Sequence, residues 1–232
     1  AGLVFLAEGG LFSLGSFFFY LTWEPADQGR EPGRRRPPFG RFIGRTLVHM
    51  LGNRNFLLFL AGDLGFYVVV TVISFYAAYA TAFGGVPAAT AAGVFVALIY
   101  AGSVASNLAL GTLGWLTLKG KALFSNATAV AAVLPLVLPP SAAGFYAASL
   151  LLGLSRGARM IAHPPIVKKL SGLEDATAYF AVSPLLTLPV AAGLPLFCGR
   201  FLDRFAALGG DAYRLVFGVF ALCLLAALLC TR

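Results

Sequence analysis

Long runs of uncharged residues are what most limits this chain. A bilayer core about 30 Å thick is crossed by roughly 20 apolar residues wound as a helix, a form that pairs its own backbone polar groups inside hydrocarbon. Seven such runs follow one another, at Ala1–Trp23, Phe56–Phe83, Ala91–Leu118, Ala122–Leu138, Ala142–Ile161, Ala178–Cys198 and Tyr213–Cys230. Turn chemistry separates them: Gly84-Gly85-Val86-Pro87, Lys119-Gly120-Lys121, Pro139-Pro140-Ser141, His163-Pro164-Pro165 and Gly209-Gly210-Asp211. The expected fold class is an all-α membrane protein with seven transmembrane helices.

Composition agrees. Charged residues make up 11% of the 232 positions, and mean hydropathy is +0.86, where soluble domains are about one-quarter charged. A formal charge of +8 raises nucleic acid as a partner. Binding it requires the charge on a wetted face, and long uncharged stretches leave no such face, so none is expected. Cys198, Cys223 and Cys230 sit in apolar runs with no CxxC pair and no nearby His at ligand spacing, which argues for packing rather than metal or disulfide. The chain starts at Ala1 inside an apolar run, without a basic region or a small-residue cleavage site. It is expected to be a fragment or processed product, not to carry a signal peptide.

Charge is distributed by side. If the spans alternate, segments 24–55, 119–121, 162–177 and the C-terminus share one side, and with Arg156 and Arg159 they hold fourteen of the seventeen Lys and Arg. Arg200, Arg204 and Arg214 fall on the other. Lys and Arg accumulate in cytoplasmic loops, so the cluster of Arg30, Arg34, Arg35, Arg36 and Arg41 is expected to face the cytoplasm and anionic headgroups. An integral protein of a bacterial inner (plasma) membrane follows. Further along that loop, Phe39, Phe42, Ile43, Leu47 and Met50 recur at helical spacing against Arg41, Arg45 and His49. An interfacial amphipathic helix and a solvated linker both remain open there, and His49 is assigned no chemistry.

Within the spans, polar residues align. At 100° per residue Asp63, Tyr67, Thr71, Ser74 and Thr81 fall within about 80° of one another. An intramembrane carboxylate is costly, which marks Asp63 as functional, as one half of an ion pair, or as snorkelling. In the third run the small residues Gly93, Ala97, Ala101, Ala105 and Ala109 suit close helix packing, and a second face carries Tyr100, Ser103, Asn107, Gly111 and Gly114. Ser149, Gly153 and Gly157 form another close-contact stripe. Arg159 suits snorkelling at a helix C-terminus, whereas the deeper Arg156 is the expected partner of Asp63 or of an anionic substrate group. Pro184, Pro189 and Pro195 interrupt the sixth run, where Tyr179, Ser183 and Thr187 share a face. Glu8 is the one charge of the first run, as a titrating group or a rim residue.

One span, a long basic loop and six tightly connected spans resemble the C-terminal half of a major facilitator superfamily transporter preceded by the last helix of its N-terminal half. That resemblance covers the whole chain. Gly114-Trp115-Leu116-Thr117-Leu118-Lys119-Gly120-Lys121 occupies the place of the family signature G-x-L-x-D-R-x-G-R-R, with Leu118 where the Asp stands and one residue fewer before the glycine. Gly199-Arg200-Phe201-Leu202-Asp203-Arg204-Phe205 is similar to the signature again, in keeping with inverted three-helix repeats.

The resemblance implies spans six to twelve of a secondary transporter: 1–23 the last helix of the N-terminal half, 24–55 the central loop, 56–232 a six-helix bundle. Its partners would be the bilayer, the missing half and a small-molecule substrate, with a coupled proton or sodium ion and no other cofactor. The polar faces named above would line the pathway, with Asp63, Asn107 and Arg156 as a network at its cytoplasmic mouth and Gly114, Lys119, Gly199, Asp203 and Arg204 in gating loops.

A microbial rhodopsin would need a Lys in the last span, which Tyr213–Cys230 lacks. A membrane-embedded enzyme would show HExxH, paired intramembrane Asp residues or a Ser/His pair, and only His49 and His163 occur. It remains the alternative from another class, beside a non-transporting scaffold or receptor.

Overall fold

The computed structural model describes residues 9–10, 13–18, 21, 38–173 and 176–231. Two compact units result, Ala1–Pro38 and Phe39–Arg232. In the first, residues 13–18 are helical and exposed; Glu8, the arginines from 30 to 36 and most of the first expected span lie outside the described residues.

The second unit is built from helices, with no strand among the described residues: α1 (Phe39–Gly52), α2 (Arg54–Asp63), α3 (Gly65–Phe83), α4 (Ala88–Ser106, widening into a π turn over Asn107–Thr112), α5 (Leu118–Val137), α6 (Ala142–Ser171), α7 (Thr177–Arg204) and α8 (Gly210–Cys230). Five segments are long and apolar enough to cross a membrane: Arg54–Phe83, Ala88–Thr112, Leu118–Val137, Thr177–Arg204 and Gly210–Cys230. The chain is therefore an all-α integral membrane protein. The expected span at Ala142–Ile161 is not among the five, because Arg156 and Arg159 interrupt its apolar run.

Several ends differ from the expected ones. The Lys119-Gly120-Lys121 turn is instead the first turn of α5, since Thr117 caps it by accepting a hydrogen bond from the Gly120 N–H at 3.2 Å. The chain reverses before that cap, at Gly114, whose φ of +63° suits glycine. His163-Pro164-Pro165 does not break α6. The prolines remove two backbone donors, yet the helix continues to Ser171, held by buried Ala162 and Val167, and stops at Gly172 with φ +65°. Gly199, Asp203 and Arg204 are helical residues at the end of α7 rather than loop residues.

α6 occupies the centre, with its most extensive contacts to α4 and α5. Its approach to α4 is backbone on backbone: a Cβ on Gly102 would collide with the Leu150 carbonyl, one on Gly153 with the Ile99 carbonyl, and one on Gly157 with Ser103. The stripe Ser149, Gly153 and Gly157 is thus a contact face, as expected. The stripe assigned to packing in α4 is not: Gly93, Ala97, Ala101 and Ala105 are exposed and Ala109 partly so. The face of α4 that packs carries Phe95, Ile99, Gly102, Ser106 and Leu110, because bulky residues there fill the space beside the glycine contact.

The larger apolar cluster joins α3, α4, α5, α6 and α8 around Tyr76, Tyr79, Phe95, Phe145 and Phe217. A second joins α1, α2, α6 and α7 through Met50, Phe56, Leu60, Val167, Tyr179 and Val182. Residues 39–52 do form an amphipathic helix. Phe42, Ile43, Leu47 and Met50 pack on protein, Met50 fully buried, while Phe39, Val48 and Leu51 stay exposed.

If α4 and α6 depend on glycine contact, Gly102→Ala and Gly153→Ala each lower stability by about 1–3 kcal/mol through overpacking. Gly93→Ala, with nothing within 4 Å of its Cβ, leaves it unchanged or raises it. Thermal unfolding of the three purified variants in one detergent checks the difference.

Candidate functional site: a buried ion pair beside a polar helix crossing

Asp63 ends α2 one residue before the chain continues as α3, and its carboxylate points between helices with 7% of its side chain exposed. Its partner is Arg159, not Arg156. Arg159 Nε donates to Oδ1 and Nη2 to Oδ2, both at 2.7 Å, the bidentate geometry that makes arginine–carboxylate pairs strong. The guanidinium also lies 3.8 Å from the centroid of the Phe66 ring. His163, one turn further along α6, brings Nε2 to 3.5 Å from Oδ2, within ionic reach and beyond a good hydrogen bond.

Beside the pair is a cavity of about 30 Å³ bounded by Phe59, Asp63, Ser125, Asn126, His163 and Thr231. That volume is on the scale of one or two water molecules and far below a small-molecule site. Asn126 ties the surrounding helix ends together: Nδ2 donates to the Gly62 carbonyl at 3.3 Å and to Thr231 Oγ1 at 2.8 Å. Gly62 allows this approach, since a Cβ there would stand 2.6 Å from Thr231 Oγ1. Ser125 donates to the Ser155 carbonyl at 2.9 Å. The result is a cross-braced polar cluster among α2, α5, α6 and α8, closed rather than cavernous.

Deeper along the stripe, Tyr67 meets Thr187 of α7 at 2.7 Å between hydroxyl oxygens. Thr187 can donate onward to the Pro184 carbonyl at 3.3 Å. Thr71 is buried and bonds the Tyr67 carbonyl, whereas Ser74 is exposed and bonds Val70. Ser183 is buried. Tyr179 is also buried, with its hydroxyl 2.7 Å from His49 Nδ1 of α1 and its ring edge-on to Phe56 at 4.8 Å.

Arg156 faces elsewhere. It is exposed, with its guanidinium carbon 6.0 Å from the ring centroid of Tyr100, itself 59% exposed. Asn107 is exposed as well, so it joins neither Asp63 nor the ion pair; it begins the π turn. Ser103 is half-buried along the α4–α6 seam. The expected network of Asp63, Asn107 and Arg156 is therefore two separate arrangements, one inward and one outward. Of the expected gating residues, Lys119 is exposed on the first turn of α5, and Asp203 and Arg204 are exposed at the far end of α7.

Sequence reasoning missed Arg159 with His163, Asn126 and the His49 contact. Arg159 and His163 stand four apart on one helical face, and Asn126 follows Ser125 inside an otherwise apolar run, so both had visible signals. His49 had none beyond its place in a polar stripe.

No family model, curated protein or solved structure matches the chain.

Removing one member of the pair leaves the other charge stranded, so Asp63→Leu and Arg159→Met each cost about 3 kcal/mol, while the two replacements together recover most of the loss. A double-mutant cycle in thermal stability checks this; additive losses would mean that the two side chains do not act together.

Proposed function

We propose that the chain is part of a secondary active transporter, with six helices forming half of a bundle that opens alternately to the two sides of the membrane. The observation that carries this reading is the exposed Arg156 midway along α6, set against exposed Tyr100. Hydrocarbon penalises an exposed arginine, by up to about 2.5–3.5 kcal/mol at full depth on the insertion scale. A bundle that leaves one there must present it to a wet passage or to a second polar half, and the neighbouring Ser103 and Asn107 share that requirement. The resemblance to the C-terminal half of a major facilitator superfamily transporter supplies the matching architecture, in which binding occurs between two halves.

In this reading the outward-facing polar surface of α4 and α6 lines the passage and touches a small-molecule substrate. Asp63 and Arg159 form a latch at its closed end, where opening must break or carry along a bidentate ion pair. Tyr67 with Thr187 holds α3 against α7. The excess of Lys and Arg at the end bearing α1, Lys119 and Lys169 supports a cytoplasmic position for that end. A coupled proton or sodium ion would act at the polar cluster among α2, α5, α6 and α8.

A scaffold is the second reading, favoured by one observation: Tyr67–Thr187, Tyr76–Ser149 and Asn126–Thr231 all pair within the bundle, as interhelical glue would. Reactivity separates the two. With Cys198, Cys223 and Cys230 replaced by Ser, Tyr100→Cys and Asn107→Cys are expected to react with a charged, membrane-impermeant thiol reagent at least about tenfold faster than Leu222→Cys, whose parent is 68% exposed on α8. A transporter gives reaction from both sides of the membrane, a scaffold from one side or neither. Equal inertness of all three positions would remove the wet passage and this proposal with it.

A further inference from the structure

At the end of the bundle where α2, α5, α6 and α8 converge, a second and larger pocket of about 340 Å³ adjoins the ion-pair cavity, sharing Phe59, Ala122, Ile166 and Thr231 with it. Its chemistry is two-sided. Leu58, Phe59 and Ile166 contribute an apolar wall, and Asn55, Lys119 and Lys169 contribute the polar rim. The lysines come from different helices, Lys119 from the first turn of α5 and Lys169 from the last turn of α6. Both are exposed, and neither has an ion-pair partner among the described residues. Asp63, the one acidic group bordering the adjoining cavity among the described residues, is already taken by Arg159. The N-terminal turn of α5 adds the positive end of a helix dipole to the same rim.

We propose that this pocket is a binding site for an anionic phospholipid, whose phosphate lies between Lys119 and Lys169 and whose first acyl methylenes cover Leu58, Phe59 and Ile166. Complementarity is the argument. Two ammonium groups with no ion-pair partner among the described residues face a charge of opposite sign, the apolar wall faces hydrocarbon, and the site stands at a helix-end level where headgroups lie. Basic pockets between membrane helices bind such headgroups on these terms. A zwitterionic lipid satisfies the wall and not the rim; a soluble phosphate satisfies the rim and not the wall. The volume is within the range of small-ligand sites. This inference requires only that the chain spans a bilayer, and it stands or falls apart from transport.

Native mass spectrometry of the full chain, released from mild detergent with equimolar phosphatidylglycerol and phosphatidylcholine, tests it. The wild type is expected to retain phosphatidylglycerol preferentially. Lys119→Gln with Lys169→Gln lowers that preference by about tenfold or more, since each lysine near a headgroup contributes several-fold. Lys119→Arg with Lys169→Arg keeps it, and Lys121→Gln with Lys168→Gln, which removes equal charge outside the pocket, changes it little. Equal losses in the two Gln pairs would show a diffuse surface effect and overturn the site, as would no loss in either. Displacement of the lipid by millimolar inorganic phosphate alone would make the occupant a soluble anion and overturn the lipid assignment. Ile166→Asn supplies the acyl arm, making the wall polar without adding charge, with retention expected to fall although both lysines remain. The thermal unfolding midpoint of each variant shows that it is folded.

Discussion

The approach of α4 to α6 without intervening side chains is the constraint from which the rest follows. Gly102, Gly153 and Gly157 let two backbones touch, and that contact fixes the rotation of α6 about its own axis. At about 100° per residue, Arg156 then lies roughly 80° from the centre of the glycine seam, and Arg159 lies on nearly the opposite side. One arginine is left at the edge of α4 beside Tyr100; the other is delivered to Asp63. Two cations three residues apart acquire different fates from one packing choice.

Burial of the ion pair is affordable only with several further contacts. A carboxylate with 7% exposure loses most of its hydration, and the return comes from the bidentate geometry of Arg159, whose guanidinium lies over the Phe66 face. Around it, Asn126 and Thr231 fasten α5 and α8 to the end of α2. The cluster is thus a knot of four helix ends, and its tightness is why the adjoining cavity is so small. Any larger guest at this end must use the lysine-rimmed pocket outside the knot.

Much of the architecture was readable because hydrocarbon punishes irregular backbone: the apolar runs from residue 56 onward correspond to helices, and the Gly84–Pro87 and Pro139–Ser141 turns fall where the sequence puts them. The misplaced boundaries have local causes. A Thr117 cap pulled Lys119-Gly120-Lys121 into α5, and tertiary burial carried α6 through two prolines. Helical phase, in contrast, reports only which residues share a face, not what that face meets. It found the Gly153 stripe, but Asp63 and Tyr67, grouped on one face, meet different helices, and the small residues of α4 stay exposed among the described residues. Choosing between Arg156 and Arg159 required the rotation of α6, which depends on glycines in two distant segments.

The hydroxyl of Tyr179 and the imidazole of His49 give one more result. They clasp a helix outside the apolar runs to the start of α7, where three prolines have thinned the backbone ladder further along. From Pro184 onward each proline lacks the N–H that would tie it to the preceding turn, so the backbone ladder is interrupted only past the end the clasp holds. The clasp thus joins α1 to the one stretch of α7 that precedes its first proline, beside the buried side chain of Met50.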